Sequence, residues 1–345
     1  MRYRLMGRTG LFLSEFGLGT NMFGGLDRWK AFGALDEQEA TAVVGAAIES
    51  GVNLIDTADV YGDGESEIRV GQALANLSLQ RADVIIATKV ALRTGKSPNA
   101  VGLSRAHVLS GVESSLRRLK TDYIDLYQLH SFDPVTPLDE TLHALDILVR
   151  QGKIRYIGCS NFAAWQIALA CGASAAHKLP RIEAIEANYT IAARVIEREI
   201  VPLARYENIG LLVWGPLAAG LLTGKYDRQG SGPANSRLGA GGNTMADRET
   251  ALNAVEAIKP VAQVHSTNVG TIALAWLLHQ PAVTSIIVGC RTLDQLRENL
   301  SASDIALSSD ELAALDAIGR LPAEYPMNKQ TRLAADRLAP STKLA

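Results

Sequence analysis

Cysteine is scarce in this chain of 345 residues: there are three, at Cys159, Cys171 and Cys290. Their number is odd, they lie far apart, and no CxxC or neighbouring histidine pattern accompanies them. That excludes a disulfide framework and a zinc site and points to a reducing compartment, with no metal expected. An excess of charge of one sign is also missing, since 34 Lys and Arg stand against 36 Asp and Glu. Such a balance excludes the basic footprint of a nucleic-acid binder or of a protein held on an anionic membrane, so any anion must be held by a local site. No apolar run reaches the roughly 18 residues of a membrane helix. The N-terminal stretch MRYRLMGRTGLFLSEFGLGT has early arginines but lacks the apolar core and small-residue cleavage site of a signal peptide. A cytoplasmic location is the resulting expectation. No coiled-coil heptad or exposed apolar helix is visible either, which leaves homo-oligomers open.

A further absence concerns the fold. No GxGxxG follows an apolar run at the start of a helix, and an open Rossmann sheet holding a dinucleotide normally needs one. What is present is a long alternation of short apolar, β-branched runs with amphipathic stretches of ten or more residues. Strands are expected at Phe16–Gly19, 53–55, 84–88, 124–128, 154–159, 182–187, 211–214 and 285–288. Helices follow them, among them 36–50, with Asp36 placed as its cap, and 65–77. Runs such as VIIA and SIIV read as parallel strands buried on both faces, and eight βα units favour a closed (β/α)8 barrel over an open doubly wound sheet. With 47 % apolar and 20 % charged residues the chain is an ordinary globular enzyme in composition, read as one barrel domain over 1–345. Residues 3–14 carry turn-like Gly7, Thr9 and Gly10, a hairpin closing the barrel bottom. The glycine-rich segment 215–245 reads as a lid, 91–102 as a shorter loop, and the proline-bearing tail 320–345 as irregular.

In such a barrel the C-terminal ends of the strands converge, so polar residues ending separate strands meet in space. Asp56 ends the second strand, Tyr61 follows in its loop, Lys89 ends the third and His130 the fourth. Carbonyl reduction needs a hydride at carbon and a proton at oxygen, and a tyrosine gives that proton readily only if its ordinary pKa of about 10 is lowered, as a neighbouring ammonium does. Lys89 would supply the charge, Asp56 would compensate the buried lysine, and His130 would donate a hydrogen bond to the developing oxyanion. Taken singly, each residue also reads as a barrel-mouth salt bridge or packing group; their joint occurrence at successive strand ends is what favours catalysis. A Schiff-base isomerase built on Lys89 is the competing chemistry.

LIDTADVYGDGESE, ATKV, YIDLYQLHSFD, GKIRYIGCSNF, WGPLAAGLLTGKY and VGCRTLDQLRENL resemble, in order, segments of the aldo-keto reductase superfamily, over roughly residues 1–320. They are most similar to the bacterial branch related to potassium-channel β subunits and aflatoxin aldehyde reductases. The resemblance implies the tetrad Asp56, Tyr61, Lys89 and His130, a nicotinamide cofactor, and a small aldehyde, ketone or alcohol as partner. It also implies the second possibility of a slow, redox-sensing partner protein that keeps the cofactor site.

By the same resemblance, Ser160 and Asn161 hold the nicotinamide carboxamide, although SNF would equally serve to cap the next helix. Tyr189 stacks on the ring, and Gly19, Thr20 and Asn21 belong to the cofactor site. Trp214, Gly215, Pro216, Leu217 and Gly220 would wrap the pyrophosphate through backbone amides, unless they simply open the lid. Gly289, Arg291, Gln295, Glu298 and Asn299 lie where barrels bind phosphate. Arg291 gripping a 2′-phosphate would make the cofactor NADPH rather than NADH, the alternative being a solvated arginine at a helix start. Met22, Phe23 and Trp29 are expected to shape the substrate pocket, for an uncharged carbonyl compound of some size. One departure stands out: where the family carries glutamine on the sixth strand, IEAIEANYT places Glu186. If it touches the nicotinamide, its carboxylate would favour the oxidised, positively charged ring.

Overall fold

The computed structural model describes residues 1–25, 29, 31–228, 232–233, 236–239, 242 and 244–338. Its framework is a closed barrel of eight parallel strands: β3 (Phe16–Gly19), β4 (Leu54–Asp56), β5 (Ile85–Val90), β6 (Ile124–Leu129), β7 (Ile154–Ser160), β8 (Ile182–Asn188), β9 (Gly210–Trp214) and β10 (Val283–Val288), with β10 pairing back to β3. Every residue of β5 and β10 is buried, the pattern of a strand covered by helices outside and side chains inside. The (β/α)8 barrel expected from the alternation is therefore present, and the open sheet is excluded.

Ahead of it, β1 (Tyr3–Leu5) and β2 (Phe12–Ser14) pair as an antiparallel hairpin. Met6 and Leu13 from this hairpin are fully buried and pack with Leu54, Ala87, Leu126 and Leu212 inside the barrel. The hairpin thus stoppers the end opposite the strand C-termini. Gly7, between its strands, has φ +57°, and a Cβ there would stand 2.7 Å from the carbonyl oxygen of Asn208. A side chain would lift the stopper off the barrel.

Helices α1 (Glu37–Glu49), α2 (Glu65–Asn76), α3 (Arg105–Leu119), α4 (Leu138–Arg150), α5 (Ala164–His177) and α6 (Ile200–Glu207) surround the barrel, followed by α7 (Arg248–Val264), α8 (Val269–Leu278), α9 (Leu293–Leu300) and α10 (Ser309–Ala317). Asp36 does cap α1: its carboxylate accepts from the Glu39 amide, and Glu39 reciprocates to the Asp36 amide. Every residue of α8 is buried, so it is a core helix rather than an amphipathic one. Among the described residues no helix is long and apolar enough to cross a membrane.

The tail differs from expectation. Rather than staying irregular, it forms α11 (Met327–Leu338), a helix rich in Ala, Leu, Lys, Arg and Gln that begins just after Pro326 and is exposed over 328–337. Proline suits a helix start, and these residues favour helix by intrinsic propensity. Within the expected lid, Ala218–Thr223 forms a short 3-10 segment. Residues 229–231, 234–235, 240–241 and 243 of the lid, and 339–345 of the tail, lie outside the described residues.

Candidate active site

Asp56 is the last residue of β4, Lys89 the next to last of β5, and His130 directly follows β6. Tyr61 opens a 3-10 turn after β4, where Gly62 and Asp63 both take left-handed backbone angles that bend the chain sharply back into α2. Thr20, at the end of β3, steadies this corner. Its amide and hydroxyl both donate to the Asp56 carbonyl, at 3.0 and 2.9 Å. Thr20 is fully buried, so its visible work is structural.

Lys89 is completely buried. Its Nζ donates to Asp56 Oδ2 at 2.6 Å and to the Thr57 carbonyl at 3.0 Å, and lies 3.3 Å from Glu186 Oε2. The same nitrogen sits 5.1 Å from the centre of the Tyr61 ring. Edge-on to that ring stand His130, 5.6 Å between centres, and Trp29, at 5.7 Å. The four residues singled out at strand ends do converge.

Electrostatics follows from burial with unequal charges. Burial alone would drive the Lys89 ammonium toward neutrality, yet Asp56 and Glu186 outweigh it and hold the proton more firmly than on a free lysine. Asp56 is pushed up to about 8, by burial first and by Glu186 next, against the pull of Lys89. Two carboxylates facing one ammonium cannot both stay ionised cheaply. The Tyr61 hydroxyl, expected to be lowered by Lys89, is instead raised: burial drives it up first, Lys89 opposes that rise, and Asp56 and Glu186 add to it. His130 is lowered to about 3 by burial and then by Lys89, so its imidazole is neutral at ordinary pH and one ring nitrogen carries a proton it can donate.

Gln128 completes the arrangement, and the sequence reading missed it. It is fully buried on β6, and its Nε2 donates to Glu186 Oε2 at 2.8 Å and to Asp56 Oδ1 at 3.3 Å. The available signal was its spacing: two residues before His130 on a strand, it shares that residue's face. Glu186, reached through the pairing of β7 with β8, thereby lies inside the tetrad's hydrogen-bond network.

Asn161, after β7, has a left-handed backbone, φ +58°, unusual for a residue other than glycine. Its side-chain amide donates to the His130 carbonyl at 3.0 Å and to Ser160 Oγ at 2.9 Å. Neither residue caps the following helix, whose cap is Ala163. The simple capping account of SNF therefore fails.

Other residues are placed less simply. The Tyr189 ring is 2 % exposed and packs on Trp276, 5.5 Å between centres, while its hydroxyl donates to Glu197. That sets the ring among the side chains packed between barrel and helices. Met22 and Phe23 are 5 % and 0 % exposed, core side chains, so of the three expected substrate residues only Trp29 stands against Tyr61. Met22 instead reaches Gly289, where a Cβ would lie 2.3 Å from its terminal methyl, with Asn21 close by.

The Trp214 indole nitrogen is buried with no partner, and Gly215 beside it has φ +63°. Pro216 and Leu217 lead into the 3-10 segment, in which Gly220 has φ +94°. Arg291 donates to the carbonyls of Ala31 and Phe32, at 2.5 and 3.1 Å, tying the start of α9 to the loop after β3. Gln295 accepts from the Arg291 amide at 2.9 Å; Glu298 accepts from Asn268, and Asn299 is half-buried. Arg237, which no motif marked, lies 4.3 Å over the Phe32 ring.

The aldo/keto reductase family pattern matches residues 15–320. A probable voltage-gated potassium channel β subunit of Arabidopsis thaliana is 36 % identical over 312 residues, spanning 88 % of this chain and 92 % of that one. An uncharacterized oxidoreductase of Bacillus subtilis, YrpG, is 34 % identical, covering 94 % and 99 %. The aldo-keto reductase YhdN of the same organism is 33 % identical, covering 92 % and 93 %.

Proposed function

The chain belongs to the aldo/keto reductase family, and on that footing we propose that it is an NADP(H)-dependent oxidoreductase interconverting small aldehydes or ketones with alcohols, Tyr61 giving and taking the proton. The observation that carries this reading is the fully buried Lys89 ammonium, paired with Asp56 and set against the Tyr61 ring, with a neutral His130 on the ring's edge. When bound, a nicotinamide supplies or accepts the hydride.

The chain's own residues do the rest. A carbonyl oxygen lodged between Tyr61 and His130 would receive a hydrogen bond from the neutral imidazole and the proton from the tyrosine hydroxyl. Lys89 steadies the tyrosinate left behind, and Asp56 holds Lys89 in place. In the oxidative direction the tyrosinate recovers the proton from the alcohol. Because Asp56 and Glu186 keep Lys89 protonated, it is a poor nucleophile, which counts against Schiff-base chemistry.

Two buried polar atoms left without partners fit a ligand in this mouth: His130 Nδ1 and Trp214 Nε1. Ser160 and Asn161, presented by the left-handed turn, are the groups we assign to the carboxamide. Arg291 is assigned to the 2′-phosphate, which would replace its present carbonyl contacts. Three free cysteines agree with a cytoplasmic setting. Titrating the protein with NADPH and NADH, followed by tryptophan fluorescence, tests the assignment. Selective NADPH binding, lost in Arg291→Ala, is expected; binding of neither nucleotide would overturn it.

A further inference from the structure

The cluster around Lys89 contains one more carboxylate than charge balance needs. An ammonium has three N–H groups to give. One goes to Asp56 Oδ2 and one to the Thr57 carbonyl; beyond these, Glu186 Oε2 lies 3.3 Å from the same nitrogen and the Tyr61 ring centre 5.1 Å from it. Gln128 holds Glu186 there by donating to the same oxygen at 2.8 Å. Glu186 is 3 % exposed, so its charge acts across the cluster without screening by water.

We propose that Glu186 is a positioning residue for the proton chemistry: as a second buried carboxylate 3.3 Å from the Lys89 ammonium, it weakens the ammonium's hold on the tyrosinate and keeps Tyr61 in its protonated form. The consequence is that carbonyl reduction persists to higher pH than Lys89 and Asp56 alone would allow. This rests on the reductase reading for its meaning but not for its test.

The groups that act on Tyr61 are Asp56 from β4, Lys89 from β5, His130 after β6, Glu186 from β8 and Arg237 from the segment after β9. His130 is neutral and Arg237 is common to every variant below, so a change made at Glu186 reports on its own charge. Glu186→Gln removes that charge while keeping the shape and a bond to Gln128. Glu186→Asp keeps the charge on a shorter arm.

The test is carbon-13 NMR of the full-length protein labelled at tyrosine, without nucleotide, the Tyr61 signal being identified by its loss in Tyr61→Phe. In Glu186→Gln, Tyr61 should ionise lower than in wild type by about one pH unit or more, while Glu186→Asp should stay close to wild type. An unchanged midpoint in Glu186→Gln, or an equal shift in Glu186→Asp, would overturn the proposal. Should the glutamine variant not fold, Glu186→Ala removes the same charge and is read in the same way.

Turnover forms a separate arm. The alkaline limb of carbonyl reduction should move down with the Tyr61 midpoint, whereas a purely structural role would lower activity equally at all pH. A shifted Tyr61 in a protein that reduces no carbonyl sinks the reductase reading and leaves this one standing. Unaltered ionisation in an active reductase sinks this one alone.

Discussion

Lys89 Nζ lies 2.6 Å from Asp56 Oδ2 with both side chains almost wholly out of water. A pair so placed is held by the fold rather than being a source of its stability, because each charge has lost its hydration. Removing one partner leaves the other stranded. Lys89→Met should therefore cost about 3–5 kcal/mol in denaturant unfolding. Adding Asp56→Asn to it should recover part of that loss; a double variant less stable than Lys89→Met would show that the pair's charges are not what sets the cost.

Tyr61 is tied to function in another way. Tyr61→Phe keeps the ring between Trp29 and His130 and deletes only the hydroxyl. Steady-state turnover should fall by about 10²- to 10⁴-fold with nucleotide affinity unchanged. A variant with near-normal turnover would remove Tyr61 from the proton step.

His130 offers a pH test. Its folded-state pKa is lowered from 6.5 to about 3, so between those values the unfolded chain binds a proton that the folded one does not. Stability therefore falls as pH falls through that window, by about 1.4 kcal/mol per pH unit. His130→Gln should flatten that acid limb by comparison with wild type. Parallel curves for the two proteins would mean that His130 titrates normally.

Trp29 stands edge-on to Tyr61 and is the expected substrate residue that keeps that position. Trp29→Ala should raise KM for bulky carbonyl substrates roughly tenfold, the worth of one aromatic contact, with a smaller change in kcat. A fall in kcat with KM unaltered would assign Trp29 to orienting Tyr61 instead.

Much of this was legible in the residues themselves. Buried parallel strands such as IIATKV announce themselves as apolar runs, and the lysine interrupting one is conspicuous because burying an ammonium demands a partner. Asp56, Tyr61 and His130 were visible with Lys89 because they end successive strands, or follow one closely, on the face where a barrel's strand ends converge. Gln128 was not, since a single amide in a strand carries no cost signal until the two carboxylates it bridges are seen together. Phe23 was not legible as a core side chain, because an aromatic near a strand end can face either the mouth or the helices, and only packing chooses. The contacts of Arg291 lie on a loop some 260 residues away, beyond any local pattern.

The most direct test of the account is whether carbonyl compounds consume NADPH on this protein through Tyr61. A panel of aldehydes and ketones should produce loss of NADPH absorbance with the wild type, much faster than with NADH, and almost none with Tyr61→Phe. Nucleotide binding without turnover on any member of the panel, or equal turnover by the phenylalanine variant, would contradict it.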